Sequence, residues 1–430
     1  MSLPKTKLKR AFMGGKTALE IGGNTLKHVA KSPFISSKKK QDHTSKLHIE
    51  NAEILFKGLS QLKGTALKIA QLLCLELELL PKEYRKELEK SCYQVPPMNQ
   101  AVVLKILQNE YQENYTKIYS SFTTKAFAAA SLGQVHLAED HSKQLAVKLQ
   151  YPSIKETIDN DIQLILKLTK PLKEYRLIKP ALKEIRQRLI EETDYLLEAE
   201  NQSFFRSNYF HPEIIIPNVH LNFSTSHILA TDYIEGTPLI NWLNDTQPQE
   251  VKDRIAQNLY DFFLYSCYEL NTIHADPNPG NFIITPENQL AIIDFGCIKK
   301  LDKSFLDHYK QLPQIVVSKD KDAYIQTLQH IGLLTEHLDE NSKDRIINTV
   351  FKMSDWLCKP YTSDTFSFKE HPNYMAEGHQ YSQDFFQLSK HIDMNPEFIF
   401  LERTRHGIFR IFEKLQARVS IKNPYEWSSK

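Results

Sequence analysis

His274-Ala275-Asp276-Pro277-Asn278-Pro279-Gly280-Asn281 is too rich in proline and glycine for a helix and reads as a loop. Phe282-Ile283-Ile284 follows as a short strand and Thr285 to Gln289 as a turn. Leu290-Ala291-Ile292-Ile293 is a second strand, and it delivers Asp294-Phe295-Gly296. The layout is His-x-Asp-x4-Asn, a hairpin, then Asp-Phe-Gly. Asp276 suits a group that accepts a proton or orients a nucleophile at a γ-phosphate. Asn281 has an amide oxygen and Asp294 a carboxylate. Together they are the sparse oxygen set that Mg²⁺ takes alongside phosphate and water.

Upstream, the chain carries what a nucleotide cleft needs opposite that loop. Gln134 to Glu139 and Gln144 to Gln150 alternate as strands, with turn chemistry from Asp140 to Lys143. Leu145, Val147 and Leu149 share one face of the second strand, and Ala146 and Lys148 the other. A small side chain leaves room for a base and an ammonium meets phosphates; taken alone, a strand lysine is more often simply solvated. The preceding turn, Ala128-Ala129-Ala130-Ser131-Leu132-Gly133, lets backbone N–H groups approach an anion. Its bland reading is a tight apolar β-turn. Alanine largely excludes positive φ, so this turn is stiffer than a glycine-rich one. Along Ala181 to Glu200, Leu182, Ile185, Leu189 and Leu196 form a buried row whose missing member is Glu192. A carboxylate there needs a partner, and Lys148 is the expected counterion, unless Glu192 lies at the solvated edge of the stripe. All these pieces in order are the layout of phosphoryl-transfer enzymes with the protein-kinase core.

Leu55, Leu59, Leu62, Ala66, Ile69 and Leu73 recur at helical spacing, with Gly64, Lys68, Gln71 and Leu75 as a neighbouring row. From this segment alone, Lys68 and Gln71 read as ordinary boundary residues. Pro81 ends the helix. A second helix is expected over Lys82 to Gln94, and Asn99 caps a third.

With these residues in view, the chain resembles the UbiB family, the ADCK-type atypical kinases linked to ubiquinone and prenyl-lipid biosynthesis. The resemblance rests on five features: Lys68-Ile69-Ala70-Gln71 for the family's Lys-x-Gly-Gln motif; the alanine-rich turn running into Gln134-Val135; Glu192-Thr193-Asp194 for its Glu-x-Asp motif; the His274 to Asn281 loop; and Asp294-Phe295-Gly296. It spans roughly Leu55 to Lys300, and Arg403 to Val419 looks like the family's closing helix. Ala70 departs from the motif glycine, which adds a methyl where the family's helix lies close over the nucleotide.

The resemblance implies an α+β, bilobal kinase-like fold, with a β-rich N-lobe, a helical C-lobe and a helical extension over the active site. It implies ATP and Mg²⁺ as cofactors. Lys68 and Gln71 would face the active site and meet Asp194. The domain expectation is an arm over 1–50, the extension over 51–120, an N-lobe over 121–235 and a C-lobe over 236–430. At the end of the apolar strand His227 to Tyr233, the backbone of Asp232 to Glu235, Tyr233 included, is a candidate for an adenine edge.

Composition bounds the rest. The 430 residues are 41% hydrophobic and 25% charged, a globular balance. No apolar run is long enough for a membrane span. Five dispersed cysteines make neither a disulfide framework nor a zinc signature and suit a reducing compartment. Residues 1–50 hold eleven Lys or Arg against three acids, a net of +8, so with +2 overall the remainder is 2 − 8 = −6. Leu8, Phe12, Leu19, Leu26 and Val29 are set among those lysines, interrupted by glycine doublets. This arm fits either an anionic membrane surface or a solvated tail; without interleaved aromatics it does not suit nucleic acid.

Gly296 leads through Cys297-Ile298-Lys299-Lys300 almost directly into helical sequence over Ser304 to Leu312, with no Ala-Pro-Glu-like motif and so no peptide-docking platform. The chain ends Trp427-Ser428-Ser429-Lys430 without the paired spans of some UbiB members. Tyr361 to Gln383, with His371 and His379, is expected as a polar loop; His391 also lacks metal-ligand spacing. The expected function is an Mg-ATP-dependent kinase-like ATPase serving prenyl-lipid biosynthesis, with enzymes or lipid intermediates of that pathway as partners. It would lie peripheral to a bacterial inner membrane, on the cytoplasmic side, or on the mitochondrial matrix side. The alternatives are a phosphotransferase for a small molecule or lipid, and a nucleotide-gated scaffold.

Overall fold

The computed structural model describes residues 97–130, 132–141, 143–170, 175–334, 339–389 and 395–427, and before these the helical positions 15–17, 19–24, 26–28, 46–47, 50–51, 53–54, 57, 65 and 69. The architecture is α+β, and the chain divides into two compact units, Met1–Leu196 with His220–Thr231, and Leu197–Val219 with Asp232–Lys430.

The first unit is built on an antiparallel sheet. Strands β1 (Ser121–Phe122), β2 (Ala128–Ala129), β3 (Gly133–Asp140), β4 (Lys143–Gln150) and β6 (Ile228–Asp232) join in the order β1-β3-β4-β6, with β2 also on β3. As the alternation predicts, Leu145, Val147 and Leu149 are buried while Ala146 and Lys148 are half-buried. The buried face packs on Val103 and Leu107 of helix α1 (Gln100–Tyr111) and on Tyr119. Asn99 caps α1 by accepting from the Val102 N–H at 3.0 Å. Helices α3 (Ile154–Thr169) and α4 (Tyr175–Glu191) complete the unit, after the short α2 (Tyr115–Ile118).

The expected unbroken buried row through Leu196 is not what forms. Helix α4 stops at Glu191, and the Thr193 N–H and hydroxyl both donate to the Ile190 carbonyl, at 3.1 and 2.6 Å. Helix α5 (Tyr195–Asn208) then starts with a new phase. Tyr195, Glu198, Ala199, Gln202 and Phe205 are buried, and Leu196 is 42% exposed. Lys82 to Gln94 lies outside the described residues.

In the second unit, β5 (Ile214–Ile215) runs parallel to β10 (Leu290–Ile292), which pairs antiparallel with β9 (Phe282–Ile284), which in turn pairs β7 (Thr237–Pro238). Residues 197–219 and 232–235, expected in the first lobe, cluster here. The β5–β10 pairing is one reason; Phe205 against Phe262 and Phe295, with ring centroids 5.6 and 5.3 Å apart, is another. The core forms around helices α7 (Gln249–Tyr268), after the short α6 (Leu239–Trp242), and, beyond α8 to α10 (Lys303–Tyr309, Leu312–Ser318, Lys321–His330), α11 (Glu340–Cys358) and α13 (Pro396–Leu415). The closing helix begins earlier than the expected Arg403.

The polar loop expected over Tyr361 to Gln383 is instead a buried aromatic layer. Tyr361, Phe366, Phe368 and Tyr374 pack into the core, and Tyr374–Ser389 forms helix α12. His371 donates through Nδ1 to the Ser367 carbonyl (2.9 Å) and stacks on Phe366. His379 falls within α12, and His391 lies outside the described residues. Composition misled here because a tyrosine ring packs in a core as an apolar body, and the Tyr361 hydroxyl finds buried partners. Arg405 donates to Tyr361 at 2.6 Å and pairs with Glu426, which also accepts from Tyr268, Tyr361 and Asn423. Burial acts to raise the Glu426 pKa, but the Arg405 charge and these hydrogen bonds hold it below the usual carboxylate value.

The basic arm is not wholly a solvated tail. Thr17, Ile21 and His28 are buried, Asn24 donates to Asn51 at 3.0 Å, and His28 bonds Glu50 at 2.9 Å. That bond to His28 holds the Glu50 carboxyl below its ordinary range. Leu19 and Leu26 face outward, 79% and 72% exposed.

Candidate active site

In the first unit, the alanine turn is a tight hairpin. Ala128 and Ala129 pair with Val135 and Gln134, and the Ala130 N–H donates to the Gly133 carbonyl at 3.1 Å. That donor is used within the turn, so the apolar β-turn describes Ala130. Ser131 lies outside the described residues. Gly133 sits where no side chain fits: a Cβ would stand 2.2 Å from the Leu149 carbonyl oxygen and 2.9 Å from the Tyr195 hydroxyl.

Lys148 pairs across the hairpin with Val135, and its Nζ lies over the Tyr195 ring, 5.1 Å from the centroid. Gln150, at the end of the same strand, donates to the Thr193 carbonyl at 2.8 Å. The structure thus brings Lys148 to the Glu192-Thr193-Asp194 turn. Glu192 is buried, as a carboxylate in the stripe should be, and it forms an ion pair with Arg188 at 3.5 Å, one helical turn back. Asp194 is exposed. Lys68, Ala70 and Gln71 lie outside the described residues. Their neighbours Thr65 and Ile69 are buried, and the Thr65 hydroxyl bonds Asp161 on α3, which anchors that part of the extension.

In the second unit, β8 (Thr272–His274) pairs antiparallel with β11 (Ile298–Lys300), and the Ala275 N–H donates to the Cys297 carbonyl at 2.9 Å. These bonds set Asp276 at the strand's end. Asn278 caps the single turn Pro279–Asn281 by accepting from Gly280 N–H at 3.1 Å. Asn281 donates through Nδ2 to the Asp276 carboxylate at 3.0 Å and to the Asp276 carbonyl at 3.1 Å. Its backbone carbonyl accepts from Ile293 N–H at 3.0 Å. Antiparallel pairing of Phe282 with Ile292 therefore puts Asn281 and Asp294 at the same end of one hairpin. Asp294 accepts from Gly296 N–H through Oδ1 at 3.0 Å, and its carbonyl accepts from His274 Nε2 at 2.6 Å. The acceptor is a carbonyl, so Nε2 carries the proton. The His274 ring also meets Phe295 edge-on at 5.5 Å.

This set fits a hard divalent cation. With Nδ2 of Asn281 committed to Asp276, its Oδ1 is the amide atom left to serve as a ligand, at the same hairpin end as Asp294. Mg²⁺ needs few protein oxygens when phosphates supply the rest. Among the described residues no group of three or more His, Cys, Asp or Glu could hold a metal ion.

At Asp232 one backbone group is already engaged. Its N–H donates to the Asn218 carbonyl at 3.0 Å, and its Oδ2 accepts from Asn218 Nδ2 at 2.6 Å. That N–H is therefore taken and does not offer itself to an adenine edge; Tyr233 is half-buried beside it.

Three residues escaped the sequence reading. His274 was read as a motif letter, although a histidine between β-branched and small residues on a strand signals a buried bond. Glu198 is nearly fully buried on the face of α5 that carries Tyr195 and Gln202; the argument applied to Glu192 holds for it once the helix phase is reset. Gly407 admits Pro277 to α13, since a Cβ there would stand 2.3 Å from the Pro277 Cγ.

Comparison with known proteins bears on the family and the fold. Residues 91–328 match the family described as the ABC1 atypical kinase-like domain. Probable serine/threonine-protein kinase abkA of Dictyostelium discoideum is 28% identical over 393 residues, covering 86% of this chain and 70% of that protein. Atypical kinase COQ8, mitochondrial, of Saccharomyces cerevisiae is 29% identical over 386 residues, covering 86% and 74%. The solved complex of Rv3197 with erythromycin from Mycobacterium tuberculosis superposes with a TM-score of 0.57 at 25% identity, covering 89% of this chain and 96% of that one. The chain belongs to the ABC1 atypical kinase-like family, the UbiB/COQ8 group, and has its kinase-like fold.

Proposed function

We propose that this chain is an Mg-ATP-dependent atypical kinase-like ATPase that supports ubiquinone or related prenyl-lipid biosynthesis at a membrane surface. The observation that carries the reading is the locked hairpin end in the second unit: Asp276 held by Asn281, and Asp294 fixed through its carbonyl by His274. Both acids are placed by backbone pairing, so their carboxylates need little reorganisation to act. Asp276 orients or deprotonates the attacking hydroxyl or water. Asn281 and Asp294 hold Mg²⁺, which when bound neutralises charge on the phosphates. Lys148 supplies a cation to the phosphates, and Ala146 leaves space beside it. Glu192 serves as counterion to Lys148, and Lys68, Gln71 and Asp194 shape the substrate side. The 128–133 turn (Ala128, Ala129, Ala130, Ser131 and Gly133) and the segment at Asp232 and Tyr233 border the nucleotide.

Membrane association rests on the outward Leu19 and Leu26 beside exposed Lys16 and Lys27, a pattern suited to anionic headgroups. No described helix is long and apolar enough to cross a membrane. The mitochondrial name of the yeast relative supports an organelle setting; within it the reading is the matrix side of the membrane, with the bacterial inner leaflet as the equivalent. The partners would be enzymes or lipid intermediates of quinone synthesis.

Phosphate release from Mg-ATP on anionic liposomes tests this. Asp294→Asn should lower turnover by about 10²-fold or more, and cells carrying it should accumulate quinone intermediates. Equal turnover in wild type and variant would refute it. A phosphotransferase acting on a small molecule is the second reading, favoured by the capture of erythromycin by the solved relative; an ATP-dependent mass gain of one phosphate on an acceptor would establish it.

A further inference from the structure

Tyr195 follows the Glu192-Thr193-Asp194 turn directly and is fully buried at the start of α5. It touches two parts of the nucleotide side at once. Its ring lies under the Lys148 ammonium, 5.1 Å from centroid to Nζ. Its hydroxyl oxygen fills the space where Gly133, the end of the alanine turn, would carry a Cβ, at 2.9 Å. The backbone around it is pinned from both sides: Thr193 accepts from Gln150 at 2.8 Å, and the Tyr195 N–H donates to the Ser226 carbonyl at 3.4 Å.

A lysine head on a four-carbon stem has many rotamers available to it in water. The face of an aromatic ring attracts an ammonium and restrains it, and here the same ring is wedged against the turn. We propose that Tyr195 is a positioning residue for phosphate recognition: it fixes the Lys148 ammonium relative to the alanine turn, so that both meet the phosphates of a nucleoside triphosphate together. This rests on the nucleotide reading above.

Two measurements on the full chain test it. Reductive ¹³C-methylation labels the lysines, and the Lys148 signal is identified by its loss in Lys148→Met. That signal should be shifted upfield by the ring in wild type and Tyr195→Phe, and unshifted in Tyr195→Leu. Mg-ATP titration should then show binding about fivefold weaker in Tyr195→Leu, the factor that corresponds to about 1 kcal/mol, with most of the affinity recovered in Tyr195→Phe. In the Lys148→Met background Tyr195→Leu should add nothing.

An unshifted Lys148 signal in wild type overturns the proposal without reference to nucleotide, and remains decisive if Tyr195→Leu does not fold. Equal weakening by Tyr195→Leu with and without Lys148 also overturns it, since the role would then be structural. A shifted signal in a wild-type protein that binds no Mg-ATP would overturn the nucleotide reading itself, and this inference with it.

Discussion

The two units hold their chemistry by different means. In the first, Lys148 lies on the half-buried face of a hairpin whose core is a small group around Val103, Leu107, Tyr119 and the odd-numbered residues of β4. Its position depends on a neighbouring ring and on a turn tight enough to exclude any Cβ. In the second, Asp276 and Asp294 sit on backbone that is itself hydrogen-bonded, over an extended aromatic core. That core contains the buried Arg405–Glu426 pair and its tyrosines. The difference is one of side-chain against main-chain positioning.

The buried pair offers the strongest way to break this contrast. Glu426→Ala leaves Arg405 charged and without its carboxylate in the core, and should cost about 3–5 kcal/mol in chemical denaturation. A loss below about 1 kcal/mol would mean that the second unit is not stiffened as described. Two glycine substitutions compare the units directly. Gly133→Ala pushes a methyl against the Leu149 carbonyl, and Gly407→Ala pushes one against the Pro277 ring. Each should cost about 1–3 kcal/mol as overpacking. Gly133→Ala should weaken nucleotide binding, whereas Gly407→Ala should lower turnover more than affinity, because it displaces the loop carrying Asp276. The reverse pattern would contradict the assignment of roles.

His274→Phe keeps a ring beside Phe295 but deprives the Asp294 carbonyl of its donor. The expected loss is about 1–3 kcal/mol, with weaker Mg²⁺ dependence of any nucleotide affinity measured by titration. The smallest effect belongs to the first unit. His136 is buried, with one ring nitrogen on the Thr123 carbonyl at 2.9 Å and the other on Gln134 at 2.8 Å. Gln134 in turn accepts from the Met98 N–H at 2.7 Å. Burial lowers the His136 pKa below its ordinary value, against the raising effect of the Thr123 bond. Below about pH 6.5 the unfolded chain binds a proton that the folded chain does not. Stability from this residue is therefore complete above that pH and is lost as pH falls toward the lowered folded value. His136→Gln should flatten the fall in melting temperature between about pH 6.5 and 5; an unchanged slope would assign it to other groups.

Much of the fold was legible because its signals are local. Alternation in β4 predicted which side chains are buried, and the hairpin from Phe282 to Ile292 followed from two apolar runs around a turn. The 274–281 loop and Asp294 were legible because proline, glycine and acid spacing admits few conformations. The missed features share a physical cause. A helix row extrapolated through Glu192 ignored the Thr193 bonds that stop α4, so Leu196 was placed inside and Glu198 overlooked. Tyrosines counted as polar pack in a core where the Tyr361 hydroxyl meets Arg405 and Glu426 and the Tyr374 ring stacks on Trp356.

By itself, then, the sequence determined the order of the chemistry-bearing residues, the faces of the strands that carry them, and membership of a kinase-like family. Tertiary structure decided the partners: Tyr195 under Lys148, His274 at the Asp294 carbonyl, Asn218 on the Asp232 N–H. Periodicity reports which way a side chain points, whereas a partner depends on where a distant segment of chain comes to rest, and no local pattern encodes that.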